Sequence, residues 1–205
     1  FDVKFFPEGG ALLTVAHQNI AFKAQGSDGF STEIEGFLFD ANGDTLTAFR
    51  SEHDGMGVFT LNPTVGNSYY VIAKSGDGIS KRFDLPAVEE KGITLSMTHY
   101  KKEIRYEIQK TEATEWPQKL FLIAHTRGKL VILQPVSIDR TFGRMNDSLF
   151  NAGITHFMLI DQQGNALSER LVFIPDRNPH QWQILADKPT YGKRKGIPSN
   201  FSKRR

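Results

Sequence analysis

The chain has 205 residues, 39% of them hydrophobic, with 16 Phe and no Cys. This length holds one large or two ordinary domains with a real core. The lack of Cys excludes a disulfide framework and thiolate zinc or iron–sulfur sites. The formal charge is +2, but residues 188–205 carry seven Lys and Arg and no acids, leaving 18 basic and 23 acidic side chains before them. A broad nucleic-acid face is therefore not expected on the globular part, and the basic tail reads as a solvated end.

No apolar run approaches the ~20 residues that span a bilayer, and no signal peptide is visible. Phe1 already stands in the strand-like run Asp2-Val3-Lys4-Phe5-Phe6, so the N-terminus is expected to be a processed or excised end.

In chain order, Val3 and Phe5 open a strand and Pro7-Glu8-Gly9-Gly10 turns. Ile20, Phe22 and Ala24 alternate, and the loop 25–29 follows. The stretch 34–73 then predicts four strands and three turns, because its period of two is broken by Asn, Asp and Gly clusters. The turns are Ala41-Asn42-Gly43-Asp44, His53-Asp54-Gly55-Met56-Gly57 and Val65-Gly66-Asn67. Ser75-Gly76-Asp77-Gly78 turns again into 79–83, and Ile93-Thr94-Leu95-Ser96-Met97 is expected to close the sheet. Residues 1–99 thus predict one immunoglobulin-like sandwich, and Thr98–Lys102 a polar join.

A second sandwich is expected over 100–186. Ile104, Tyr106 and Ile108 alternate, and Leu120–Ala124 pairs through Arg127-Gly128-Lys129 with Leu130–Leu133. Residues 145–150 predict a short helical turn capped by Asn146 or Asp147. Ile154–Ile160 and Ala166–Ile174 form a hairpin around Asp161–Asn165, and Trp182, Ile184 and Leu185 make a last strand or connector. No helical period is sustained anywhere, so the chain reads as all-β, two tandem antiparallel sandwiches with a basic tail at 187–205. The halves share a β plan but no residue-level repeat.

Few residues suggest chemistry. Asp40-Ala41-Asn42-Gly43-Asp44 has oxygen ligands at alternate positions, but Thr45 stands where a calcium loop needs Gly. A plain hairpin turn is expected. The histidines at 17, 53, 99, 125, 156 and 180 show no metal-ligand spacing. His125 and His156 fall in strands on opposite sides of a sheet, read as packed or hydrogen-bonded residues. His53 and Asp54 are adjacent, and neighbours at a strand end point apart. No nucleophile elbow or phosphate loop occurs. Tyr69, Tyr70, Trp116 and Trp182 are candidates for a sugar-stacking platform, with a packed core role as the simpler reading. No catalytic, cofactor or metal residue is assigned, and the binding residues stay open.

The opening Asp2-Val3-Lys4-Phe5-Phe6-Pro7-Glu8-Gly9-Gly10 with Ile20–Ala24, and His53-Asp54-Gly55-Met56-Gly57-Val58-Phe59 with Pro63, Gly66 and Tyr69, resemble macroglobulin-type β-sandwich domains. Such domains occur in tandem in cell-envelope proteins of Bacteroidetes-like Gram-negative bacteria, often before a TonB-dependent-receptor plug-like domain. Leu122–Gly128, Gly153–Phe157 and Leu167–Phe173 are similar to motifs of the second domain, and Asp187–Gly192 to the entry strand of a third. After Tyr191 the pattern breaks at Lys193-Arg194-Lys195-Gly196-Ile197-Pro198, so the tail resembles a truncated third domain. Thioester macroglobulins trap proteases through a Cys–Gln bond, and without Cys that mechanism does not carry over.

The resemblance implies a non-catalytic structural or protein-interaction module of a larger, periplasmic or outer-membrane-associated protein. Its expected partners are other domains of the same polypeptide or an envelope protein, with no cofactor and no nucleic acid. A carbohydrate-binding accessory module of a polysaccharide-utilisation system is the alternative.

Overall fold

A computed structural model describes residues 1–177 and the backbone of Trp182–Ala186 and Ser199–Lys203. The first unit contains β1 (Asp2–Pro7), β2 (Leu12–Leu13), β3 (Gln18–Gln25), β4 (Ile34–Asp40), β5 (Thr45–Arg50), β6 (Met56–Leu61), β7 (Tyr69–Ser75), β8 (Ser80–Asp84) and β9 (Val88–Glu89). One sheet has the order β1-β3-β6 and the facing sheet β5-β4-β7-β8. The second unit contains β10 (Ile93–Tyr100), β11 (Glu103–Lys110), β12 (Leu120–Thr126), β13 (Lys129–Val136), β14 (Phe142–Asn146), β15 (Gly153–Asp161) and β16 (Ala166–Ile174). Its sheets are β10-β11-β14 and β13-β12-β15-β16.

Both units are immunoglobulin-like sandwiches, and their pairing orders are the same. In each, the first, second and fifth long strands make the smaller sheet, and two hairpins make the larger one. The residues repeat little, but the alternation and turn positions specify one topology twice.

Each sandwich has its own core. Ile20, Phe22, Leu38, Val71 and Ala73 fill the first, with Phe22 edge-on to Phe49 at 5.1 Å. Leu95, Ile104, Leu122, Phe157 and Leu159 fill the second. The resemblance motif around residue 55 is structural. Asp54 and Gly55 both have positive φ (48° and 68°), which closes the tight hairpin turn into β6. A Cβ at Gly55 would lie 2.6 Å from the carbonyls of Ala24 and Thr32.

Three expectations need correction. Ile93–Met97 does not close the first sandwich. It belongs to β10, which pairs along its length with β11, and its apolar residues sit in the second core. Residues 98–102 are accordingly strand end and tight turn, with Lys101 at φ 56°, and not a join. The passage between the two cores lies between Leu85 and Ile93. There β9 pairs in parallel with β2, tying the connector to the first sandwich. The helical turn is a single 3-10 turn, Asp147–Leu149, capped by Asn146 Oδ1 accepting from Ser148 N at 2.8 Å. Residues 142–146 before it are β14, a strand the sequence did not suggest. At the C-terminal end, β17 (Trp182–Ala186) pairs antiparallel with β18 (Ser199–Lys203), so part of the basic tail is in a strand.

Phe157 is fully buried and packs 5.3 Å from Phe150. Truncating it leaves a cavity between the second sandwich's sheets. Phe157→Ala is expected to cost about 3–5 kcal/mol in urea denaturation. A loss below about 1 kcal/mol would contradict this placement.

Candidate functional site: the joint and the sheet faces

The most densely bonded polar site is the loop after β1, which reaches from the first sandwich into the second. Glu8 is 4% exposed. An unpaired buried carboxylate would be costly, so its partners decide whether the arrangement is stable. Oε2 accepts from Asn19 Nδ2 at 2.9 Å, within the first sandwich. Oε1 accepts from Met97 N at 3.2 Å and lies 3.0 Å from Arg170 Nε, both in the second. The Arg170 contact is an ion pair off the line of a hydrogen bond, since its Nε finds no aligned acceptor.

The backbone of the same loop is also shared. The Glu8 carbonyl accepts from Gln18 Nε2 (2.8 Å) and Thr94 Oγ1 (3.0 Å), and the Gly9 carbonyl from Ser168 Oγ (3.0 Å). Leu95 N donates to Ser168 Oγ at 2.9 Å. β10 is an edge strand, and two of its outward N–H groups, at Leu95 and Met97, are thus capped by Ser168 and Glu8. Capping an edge removes a template for unwanted strand pairing. Gly9 permits the approach: its φ is 86°, and a Cβ there would lie 2.0 Å from Thr94 Oγ1. The buried Gln18 fixes the loop from behind, accepting from Leu13 N and donating to Ala11 O as well as Glu8 O.

At the far end of the second sandwich a smaller cluster forms. Asp147, 4% exposed, lies 3.3 Å from His99 Nε2 and 3.0 Å from Arg177 Nη2. His99 Nδ1 faces the Phe173 carbonyl at 3.2 Å, so both ring nitrogens meet oxygen acceptors.

The other acids at hairpin tips serve their own turns. Asp40 Oδ1 accepts from Asn42 N (3.0 Å) and Asp44 N (2.9 Å). Asp161 repeats this in the second sandwich, accepting from Gln163 N and Asn165 N at 2.9 Å and from Asn165 Nδ2 at 2.8 Å. The Asn165 side chain, with backbone N–H groups of the turn, holds the Asp161 carboxyl below its ordinary pKa. The Ser75 hydroxyl does the same for Asp77. Among the described residues no three His, Asp or Glu gather as metal ligands.

Two histidine expectations change. His53 and Asp54 do meet, at 3.1 Å, because the left-handed Asp54 swings its side chain back. The pair is exposed at a turn tip. His125 and His156 are not on opposite sides of the sheet. They are cross-strand partners on β12 and β15 with ring centroids 5.0 Å apart. His156 Nε2 lies 2.8 Å from Glu169 Oε2, while His125 Nδ1 is buried without a hydrogen-bond partner. His17 is exposed, with its backbone N–H bonded to Asn62 Oδ1. His180 lies outside the described residues.

Among the described residues, the candidate aromatics Tyr69, Tyr70 and Trp116 do not form one platform. Tyr69 is 4% exposed, and Thr64 N donates to its hydroxyl. Tyr70 points to the opposite face, where Phe39 stacks on one side and Arg82 lies 3.6 Å from its centroid. Trp116 packs against the second core, and the Trp182 side chain lies outside the described residues.

The outer faces of the two larger sheets differ in kind. In the first sandwich Glu35, Arg50, Glu52, Lys74 and Ser80 surround an open groove of about 740 Å³ floored by Phe37 and Ile72. In the second, Leu130, His125, His156 and Leu171 form one cross-strand row, and Leu133, Ile123, Met158 and Glu169 the next. The smaller sheet of the second sandwich carries Arg105 and Arg144 beside Phe142 along a groove of about 490 Å³, which Arg140 lines from the loop before β14. Glu103 bridges Arg105 and Arg144 there. No helix among the described residues is long and apolar enough to cross a membrane.

Two expectations follow. Gly9→Ala forces strain and collision at the joint, so it should loosen the sandwiches from each other while leaving each folded. Interdomain residual dipolar couplings should stop fitting one alignment tensor, and an unchanged fit would show the joint does not depend on this loop. Asp161 should titrate below ordinary aspartates by NMR, and Asn165→Ala should raise it toward the usual value. Because its folded pKa is depressed, the turn's stabilisation is present above the ordinary carboxylate pKa. It is lost as pH falls through the lowered one.

No protein family matches the chain, and no curated protein does. Solved structures similar to it include a biofilm-associated protein BSP domain, at 13% identity and a TM-score of 0.37, covering 86% of this chain and 30% of that one. A two-fibronectin-type-III-domain segment of chicken tenascin gives 10% and 0.29, covering 85% and 98%. Invasin, a bacterial integrin-binding protein, gives 14% and 0.30, covering 89% and 42%. The chain therefore spans less than a third of the first of these and under half of the third.

Proposed function

We propose that this chain is a non-catalytic structural and protein-interaction module, a two-sandwich spacer of a larger cell-envelope protein. The observation that carries the reading is the Glu8 joint. A carboxylate 4% exposed, bonded by both sandwiches, makes one stiff unit of two domains. Inter-domain contacts of modest area otherwise allow relative motion. Stiffness is useful to a spacer that must hold surfaces at a fixed separation.

The envelope setting rests on the resemblance of residues 2–10 and 53–59 to macroglobulin-type domains. The role of those residues here agrees with a tandem array: the Pro7–Gly10 loop is the part that grips the next sandwich. The hairpin-tip acids Asp40, Asp77 and Asp161 are engaged by their own turns, so they serve structure and not chemistry in this reading.

An immunoblot of fractionated native cells tests the setting. The expected result is a band well above 23.1 kDa in the outer-membrane fraction. A band near that mass in the cytosol would overturn the envelope reading. The spacer role is checked through Glu8→Ala. Loss of charged hydrogen bonds at this site should cost about 2 kcal/mol and broaden the interdomain distance distribution measured between spin labels on the two sandwiches. An unchanged distribution would remove the joint from the argument.

A further inference from the structure

β14 is an edge strand of the sheet β10-β11-β14. Its register decides which of its backbone groups face outward. Ile108 N donates to the Thr141 carbonyl at 2.7 Å, so these two residues form a hydrogen-bonded antiparallel pair. Such pairs alternate with pairs whose N–H and C=O groups turn away from the partner strand. By that alternation Phe142 (opposite Glu107), Arg144 (opposite Arg105) and Asn146 (opposite Glu103) aim their backbone groups at the open edge. No acceptor among the described residues takes the N–H of Phe142 or Arg144. The side chains of these two residues are also in solvent, Phe142 at 63% exposure and Arg144 at 74%.

An open edge is a template for a further strand, and charge on it restricts which strand can pair. Arg144 stands directly across from Arg105, a like-charge pairing that costs stability, and Glu103 bridges the two. A guanidinium has five N–H donors, and Arg144 gives Glu103 one of them, at 3.4 Å. Arg140 meets no carboxylate among the described residues and lies 5.8 Å from the Phe142 ring. Glu107 accepts from Gln109 instead. Three guanidiniums thus stand against two carboxylates here. The corresponding edge strand of the first sandwich, β6, exposes Met56, Val58 and Thr60 and no cation, so the charge is not a property of the fold.

We infer that the β14 edge binds an extended acidic segment of a protein partner, which adds as an antiparallel strand beside β14. Strand addition takes its affinity from main-chain hydrogen bonds and its specificity from alternate side chains. Acidic residues at alternate positions of the segment face the side on which Arg144 has unused donors and Arg140 has no acid. A second copy of β14 is disfavoured, because two-fold pairing centred on Arg144 sets guanidinium against guanidinium. Strand addition at β14 deepens the protein-interaction role proposed above and rests on it, whereas the envelope setting is tested by fractionation and can fail alone.

NMR of the full chain titrated with synthetic peptides tests it. The probe alternates Glu and Thr over about eight residues, within the usual length of a strand. The expected result is a Kd below about 1 mM, with slowed hydrogen exchange at the Phe142 and Arg144 amides. A peptide alternating Lys and Thr should bind at least about tenfold more weakly. Arg144→Glu, with circular dichroism checking the fold, should reverse that preference. Methylating the Glu nitrogens of the probe, which face β14 in this pairing, should abolish binding to the unmutated chain. No binding of the Glu peptide at about 1 mM would overturn the inference. So would a methylated peptide that binds as tightly, or a preference that survives Arg144→Glu. Tighter binding of polygalacturonate than of the Glu peptide would overturn it as well, by making the groove a site for acidic sugars.

Discussion

A buried carboxylate shared between two domains is the constraint on which the rest of this structure depends. Glu8 cannot leave water without partners, and neither sandwich supplies enough of them alone. Asn19 comes from the first, and the Met97 amide and the Arg170 guanidinium from the second. The loop that carries Glu8 is in turn fixed by Gln18, and its approach to β10 is possible only because Gly9 has no side chain. A hinge motion would separate the carboxylate from two of its three partners and expose edge N–H groups of β10 at once. Opening the joint would break several charged and neutral bonds together.

Much of the architecture was legible in the residues. Alternation and the Asn, Asp and Gly clusters located both hairpins of each larger sheet, and the Asp40 and Asp161 turns formed where expected. What failed was the assignment of strands to partners. The segment 98–102 looks like a linker because it is polar and holds two lysines, yet Lys101 takes a left-handed turn and β10 runs straight into β11. The true connector holds Val88 and Glu89, which look like strand and form a parallel bridge. β14 was invisible because Gly143 and Arg144 spoil its pattern. That glycine makes room for the Tyr106 ring, since a Cβ there would lie 2.5 Å from its hydroxyl. These are facts of long-range pairing, and a local period does not encode them.

The joint itself was half legible. Pro7-Glu8-Gly9-Gly10 reads correctly as a turn, and nothing local says that its acid is buried. The apolar face of the second sandwich had a plainer signal. Leu120–Ala124, Leu130–Leu133 and Leu171–Ile174 are continuous apolar runs, and a continuous run marks a strand buried on both faces.

The joint relates two unlike surfaces. The groove floored by Phe37 and Ile72 lies on the larger sheet of the first sandwich, and the rows of Leu130, Leu133 and Leu171 lie on the larger sheet of the second. Glu8 takes partners from both sandwiches, so moving one against the other costs bonds to a buried carboxylate. A single structural side chain therefore links the placement of the two faces, because its desolvation is offset only while both domains stay in contact with it.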